Sequence, residues 1–163
     1  NPCKCGYYPD RKKCTCSQGQ IKNYLGRISK PLLDRIDIFT ETIILKYGEI
    51  SNSDKGENSY DVRKRIEKVH HIQKERYKND RILFNSELSA GMIKRYCVMD
   101  NEAKEYLENI FENMEFSARA YHKVLKTART IADMDESGEI KRKHISEAVC
   151  YRTADKKYWG VTM

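Results

Sequence analysis

The stretch Ser51-Asn52-Ser53-Asp54-Lys55-Gly56-Glu57-Asn58 contains no apolar side chain. Nothing in it can be drawn into a core, so it reads as an exposed linker between two units. A chain of 163 residues holds one ordinary domain, or one domain and part of another. The break therefore divides the sequence into residues 1–50, a linker over 51–58, and residues 59–163.

Everything after the linker carries helical periodicity. Val62, Ile66, Val69 and Ile72 fall on one stripe, with Ser59 placed to cap the first turn. Residues 89–97 make a short helix. Asp100 caps a helix whose Ala103, Tyr106, Leu107, Ile110, Phe111 and Met114 keep the spacing of one helical face. Ser117 caps the next, which turns Tyr121, Val124, Leu125, Ala128 and Ile131 inward and stops near Ser137-Gly138. Ile145, Ala148 and Val149 mark a final short helix. Such a set folds as a small helical bundle.

Before the linker the pattern differs. Residues 17–34 suggest two short helical pieces interrupted at Gly26 and Pro31. From Ile36 to Ile43 apolar and polar residues alternate, several of them β-branched, which is the pattern of a half-buried strand. A lone strand leaves its backbone groups unpaired, so it either pairs with something outside this sequence or lies irregularly against the rest.

Cys3-x-Cys5 and Cys14-x-Cys16 place four of the six cysteines in the first 16 residues. Residues two apart on an extended segment point the same way, so each pair can present both sulfurs to one metal. Zinc is the expected ion, because it takes four thiolates in a tetrahedron and fastens a loop too short to bury a core. A disulfide or free thiols remain open, since the one-residue spacer is less diagnostic than the usual two. With all four positions filled by protein the metal would be structural. His70 and His71 are adjacent on a helix and read as surface residues, and Cys97 and Cys150 as buried small apolar ones.

The sequence is 39% hydrophobic and 34% charged, with no apolar run long enough to span a bilayer. It opens on Asn1-Pro2-Cys3 with no secretory leader, so the expected compartment is the cytoplasm and no membrane partner is expected. A net charge of +7 is compatible with nucleic acid, but 31 basic and 24 acidic residues are also what a solvated helical surface carries.

Three separated strings resemble one family. They are Asn1-Pro2-Cys3-Lys4-Cys5-Gly6-Tyr7-Tyr8 with Cys14-Thr15-Cys16-Ser17, then Leu32-Leu33-Asp34-Arg35-Ile36-Asp37, and then Ser117-Ala118-Arg119-Ala120-Tyr121-His122 running on to Ala128-Arg129-Thr130-Ile131-Ala132-Asp133. His144, Glu147-Ala148 and Tyr151-Arg152 follow in the same order. Together they resemble the carboxy-terminal portion of the magnesium-chelatase-like AAA+ ATPases of the ComM/YifB group. The resemblance implies a mainly α chain, in which an AAA+ helical lid bundle follows the end of an α/β ATPase core carrying a four-cysteine zinc loop. It also implies a homo-oligomeric, usually hexameric, ring that binds ATP and Mg2+ between subunits, and an ATP-driven DNA helicase active in branch migration during competence. Chelation of Mg2+ into a porphyrin is the weaker implication.

Carried over by resemblance, Asn1 stands at the sensor-1 position that orients the attacking water, Arg35 at the arginine finger, and Arg119 at sensor 2 of the lid. A guanidinium is permanently charged and forks onto phosphate oxygens, which suits both arginines. Each could instead pair with a nearby carboxylate such as Asp34 or Asp37. No G-x-x-x-x-G-K-[ST] phosphate loop and no strand ending in paired acids occurs here. An upstream ATPase core is therefore the expected partner, and this stretch alone should not hydrolyse ATP. The rival expectation is a stand-alone zinc-containing nucleic-acid-binding module using the basic helix that bears Arg63, Lys64, Arg65, Lys68, Lys74, Arg76, Lys78 and Arg81.

Overall fold

A computed structural model describes residues 1–42, 45, 47–48, 56–114 and 116–159. The chain separates into two compact units, one from Asn1–Thr40 with Cys150–Met163 and the other from Glu41–Val149. It is mainly helical, and among the described residues the only β pairing is an isolated bridge between Met99 and Ile140. No described helix is long and apolar enough to cross a membrane. The predicted linker lies outside the described residues over 51–55, and its remainder, 56–58, is exposed coil.

In the first unit, α1 (Gln18–Leu25) begins at Ser17, whose hydroxyl accepts the Gln20 N–H while the Gln20 side chain reaches back to the Ser17 N–H. That reciprocal cap satisfies two of the first-turn donors. Ile21 and Leu25, one turn apart, are its buried face. Gly26 ends α1 as expected, but Pro31 lies in the first turn of α2 (Lys30–Leu33) and so starts a helix instead of interrupting one.

The strand expected over 36–43 is absent from residues 36–42, and Ile43 lies outside the described residues. Ile36 and Ile38 are 37% and 50% exposed, and no neighbouring strand offers a ladder among the described residues. The segment is held irregularly instead. Phe39 N–H donates to Tyr151 O at 2.9 Å, and buried Arg152 donates to Ile36 O while its guanidinium lies 5.1 Å from the Phe39 ring centre.

In the second unit, α3 (Ser59–Arg76) is capped by Asn58, not Ser59, because the Asn58 carboxamide accepts the Asp61 N–H at 3.0 Å. Its apolar stripe is narrower than the pattern suggests, since Val69 and Gln73 are buried while Ile66 is 46% exposed. The helix α4 (Ala90–Tyr96) follows the Ser89 cap, and α5 (Asn101–Asn113) follows Asp100, which accepts the Ala103 N–H at 2.8 Å. The central element is α6 (Ala118–Met134), which packs against α3, α4 and the 3-10 turn Asn85–Glu87. It buries Val124, Leu125, Ala128, Ile131 and Ala132. Each branched side chain removed from water in this way contributes about 1.5–3 kcal/mol before entropy is charged against it.

A Schellman motif closes α6. Ser137 N–H reaches Ala132 O at 2.8 Å, Glu136 N–H reaches Asp133 O at 3.1 Å, and Glu136 takes φ 53° between them. The last helix, α7 (Arg142–Trp159), is longer than the short one predicted from Ile145, Ala148 and Val149. Its later aromatic residues belong to the first unit's core, so the apolar spacing of the second unit's core stops before the helix does.

Candidate metal centre

Four thiols converge at the start of the chain. Cys3-Lys4-Cys5-Gly6 forms a turn closed by Gly6 N–H to Cys3 O at 3.2 Å, and Gly6 sits at φ 83°, a conformation a side chain disfavours. A second pair of turns at Asp10, whose carbonyl accepts the Lys13 and Cys14 N–H groups, brings the other Cys-x-Cys back to the first. The loop rests on Ile21 and Leu25 of α1, with Tyr8, Tyr158 and Trp159 packed around it. Trp159 is fixed by donating to Leu25 O at 3.0 Å.

Cys3 Sγ lies 3.3 Å from Cys5 Sγ and 3.8 Å from Cys14 Sγ, and Cys5 and Cys14 are 3.6 Å apart. With Cys16 included, all four sulfurs fall within 4.8 Å of one another. A tetrahedral ion with Zn–S bonds of about 2.3 Å separates its sulfurs by about 3.8 Å, which is the spacing seen. A disulfide needs sulfurs about 2.05 Å apart, and all four are free thiols. The group could therefore hold a metal ion.

The surroundings prepare two of the thiols for deprotonation. A backbone hydrogen bond from Tyr7 lowers Cys5 to about 6. Burial pushes Cys3 up, but the Tyr8 N–H at 3.4 Å and its other hydrogen bonds leave it below its ordinary value. Burial raises Cys14 to about 11, and Cys16 is raised by its sulfur neighbours against a lowering backbone contact from Cys5. Two thiols held below their ordinary value beside two held above it are what crowding four thiols produces before a cation neutralises them.

Each of the other expected site residues is exposed. Asn1 is exposed, with its carboxamide against Gly6 of the cysteine turn. Arg35 is exposed just after α2 and donates to Pro31 O at 2.9 Å. Arg119 is exposed in the first turn of α6, two residues after the Ser117 cap. Cys97 is buried as expected, whereas Cys150 is exposed because it stands on the outward side of α7. His70 and His71 are exposed.

A polar cluster that hydropathy does not signal lies inside the bundle. Asp133, with no exposed side-chain surface, accepts from Arg76 Nη1 at 2.8 Å, from Arg129 Nε at 3.1 Å and from Asn85 Nδ2 at 2.8 Å. Arg129, 1% exposed, also donates to Gly138 O at 2.8 Å and to Ser137 O. Tyr77 donates to Asn85 Oδ1 at 2.5 Å, and burial pushes its hydroxyl up to about 12. His144, also buried, accepts the Lys141 N–H at Nδ1 and meets Asp135 with Nε2 at 3.1 Å. The available signal was the Arg129–Asp133 spacing of four on an otherwise apolar face. The cluster ties the end of α6 to α3.

Comparison with known proteins follows the same division of the chain. Residues 56–152 match the family described as magnesium chelatase, subunit ChlI C-terminal, and residues 1–50 match that described as magnesium chelatase, subunit ChlI. The competence protein ComM of Haemophilus influenzae is 38% identical over 153 residues, which is 93% of this chain and 29% of the relative. The YifB protein of Salmonella typhimurium is 36% identical over 157 residues, 96% of this chain and 30% of the relative. The Mb2921c protein of Mycobacterium bovis is 29% identical over 134 residues, 82% of this chain and 26% of the relative. The chain thus spans under a third of the length of these relatives.

Proposed function

The chain belongs to the magnesium chelatase ChlI family, and on that premise we propose that it is the sensor-and-lid portion of an AAA+ ATPase that moves on DNA. The observation carrying this reading is that two matches to the same chelatase subunit follow one another along the chain, over 1–50 and then 56–152, which supports reading the cysteine loop and the bundle as parts of one scheme. A relative named a competence protein favours DNA as the substrate over a porphyrin. The helical bundle is the lid, residues 1–50 close the ATPase core, and an upstream core supplies the phosphate loop and Mg2+ ligands.

In this scheme zinc held by Cys3, Cys5, Cys14 and Cys16 is structural, because four protein ligands leave no coordination position for a reacting water. Its chemistry is confined to fastening the loop to α1 and the aromatic pair Tyr158 and Trp159. Arg119 stands exposed at the start of α6, where a guanidinium can swing onto the γ-phosphate of ATP in its own subunit. Arg35, exposed after α2, reaches nucleotide held by a neighbouring subunit, and Asn1 orients water.

Steady-state ATP turnover by the longer protein containing this chain tests the reading. Arg119→Ala should lower kcat by about a hundredfold or more, as loss of a transition-state donor does, with the helical signal unchanged. Turnover within about threefold of the parent would refute the sensor role. The 163-residue chain alone should show no magnesium-dependent turnover.

A further inference from the structure

Nearly all of the chain's excess charge lies in its first fifth. Residues 1–33 contain seven cations, Lys4, Arg11, Lys12, Lys13, Lys22, Arg27 and Lys30, and one carboxylate, Asp10, for a net +6 out of the +7 of the whole sequence. All seven cations are exposed. Asp10 is already engaged, since one of its oxygens accepts the Lys12 N–H at 3.0 Å. A bound dication with four thiolates carries a net −2, so the loop stays strongly basic when loaded.

The helix that looks basic in sequence is a weaker candidate. On and beside α3, Arg65 pairs with Glu57, Lys68 with Glu136, Arg76 with Asp133 and Lys78 with Glu75. Much of its charge is spent within the fold.

Beside the cysteines runs a groove of about 580 Å³ lined by Lys4, Thr15, Gln20, Asn23, Tyr24 and Arg27. Arg27 lies over the Tyr24 ring at 5.7 Å and Arg11 over the Tyr8 ring at 4.9 Å, and Tyr7 of the same loop is 50% exposed. Cations beside aromatic side chains on one basic surface suit a polyanion that also carries flat bases. A lipid surface would call for aliphatic side chains to insert, and an acidic peptide would leave the rings without a partner. Base stacking on an aromatic face is worth about 1–3 kcal/mol and is open only to unpaired bases.

We infer that this groove binds single-stranded nucleic acid, with Lys4 and Arg27 on phosphates and the Tyr24 ring against a base. The inference deepens the proposed function by naming the surface that meets the strand, and it rests on that reading only for the choice of nucleic acid over other polyanions.

Fluorescence anisotropy of a labelled oligothymidylate, titrated with the zinc-loaded chain, provides the test, with zinc content measured on the same sample. Each phosphate neutralised on a single strand contributes a salt slope of about 0.7, or about fivefold in affinity at about 0.1 M salt. Lys4→Gln/Arg27→Gln should therefore weaken binding about 25-fold and lower the salt slope by about 1.4. Arg63→Gln/Lys64→Gln on α3 should change it by about twofold at most. Because Lys4 lies between two metal ligands, Arg27→Gln alone, expected to cost about fivefold, serves if the double variant loses zinc.

The inference is overturned if the groove variants bind like the parent chain, if the α3 variant loses as much as they do, or if a duplex of equal length binds more tightly than the single strand. It is also overturned if heparin binding and strand binding fall equally while stacking, followed through tyrosine fluorescence, is absent. Failure here would appear in anisotropy and leave the ATP turnover of the Arg119 test untouched, so the two readings fail separately.

Discussion

Asp133 is the residue whose loss the bundle should tolerate least. Its side chain has no exposed surface and lies between Arg129, 1% exposed, and Arg76, 18% exposed. Asp133→Asn keeps the shape, removes the negative charge and turns one acceptor into a donor facing other donors. Arg76 can turn toward water, but Arg129 cannot. Breaking a buried pair costs about 3–5 kcal/mol, and the carbonyls of Ser137 and Gly138 that still receive Arg129 place the expected loss near the lower end, about 3 kcal/mol.

Urea unfolding followed by far-UV circular dichroism measures it. With a slope of about 1.5 kcal/mol per molar, the midpoint should fall by about 2 M. Arg129→Met/Asp133→Leu removes the buried charge from both sides and should be closer to wild type than the single change. A midpoint within about 0.5 M of wild type for Asp133→Asn would refute the argument, as would a double variant worse than the single.

Glu136→Gly should stabilise the bundle by about 0.5 kcal/mol, because glycine adopts φ 53° without a Cβ penalty of about 1 kcal/mol and only the exposed pair with Lys68 is lost; calorimetry showing a lower Tm would contradict this. Tyr77 has a hydroxyl raised from 10.0 to about 12, so the folded state holds its proton after the unfolded state has released it, and stability should fall as pH rises above 10 toward 12. Tyr77→Phe should flatten that alkaline limb, and an unchanged limb in a pH series of urea melts would refute the assignment. Elemental analysis should find one zinc per chain, and chelation should change the fluorescence of Trp159, which packs on the loop, while most of the helical signal persists. Zinc-free protein with titratable thiols after anaerobic preparation, or a bundle that melts on chelation, would contradict the structural site.

Local signals in the sequence carried most of the bundle. Asp100 and Ser117 cap the helices expected of them because a short side-chain acceptor before an apolar period satisfies donors that nothing else nearby can reach. The cysteine spacing likewise led directly to the sulfur cluster. What failed depended on partners distant in sequence. The alternation at 36–43 resembles a strand, yet with no ladder available the segment is held by Tyr151 and Arg152 from the other end of the chain. Asp133 is buried because Arg76 and Asn85 arrive from elsewhere in the sequence to satisfy it, and Arg129 because Asp133 and the Ser137 and Gly138 carbonyls receive its donors. The reach of α7 to Trp159 was hidden because Tyr158 and Trp159 serve the small core beneath the cysteines, on a different period from Ile145 and Val149.

The most direct measurement of the proposed function is ATP turnover by mixed rings of the longer ATPase proposed above. One subunit type carries Arg35→Ala and the other lacks the lysine of its phosphate loop, so on the proposed scheme each should be inactive alone. If Arg35 acts on nucleotide bound by its neighbour, its loss alone should slow turnover by about a thousandfold or more while ATP binding persists. Mixed rings then contain interfaces with an intact phosphate loop on one side and an intact Arg35 on the other, and activity should partly return. Well-formed mixed rings that stay inactive would contradict the account.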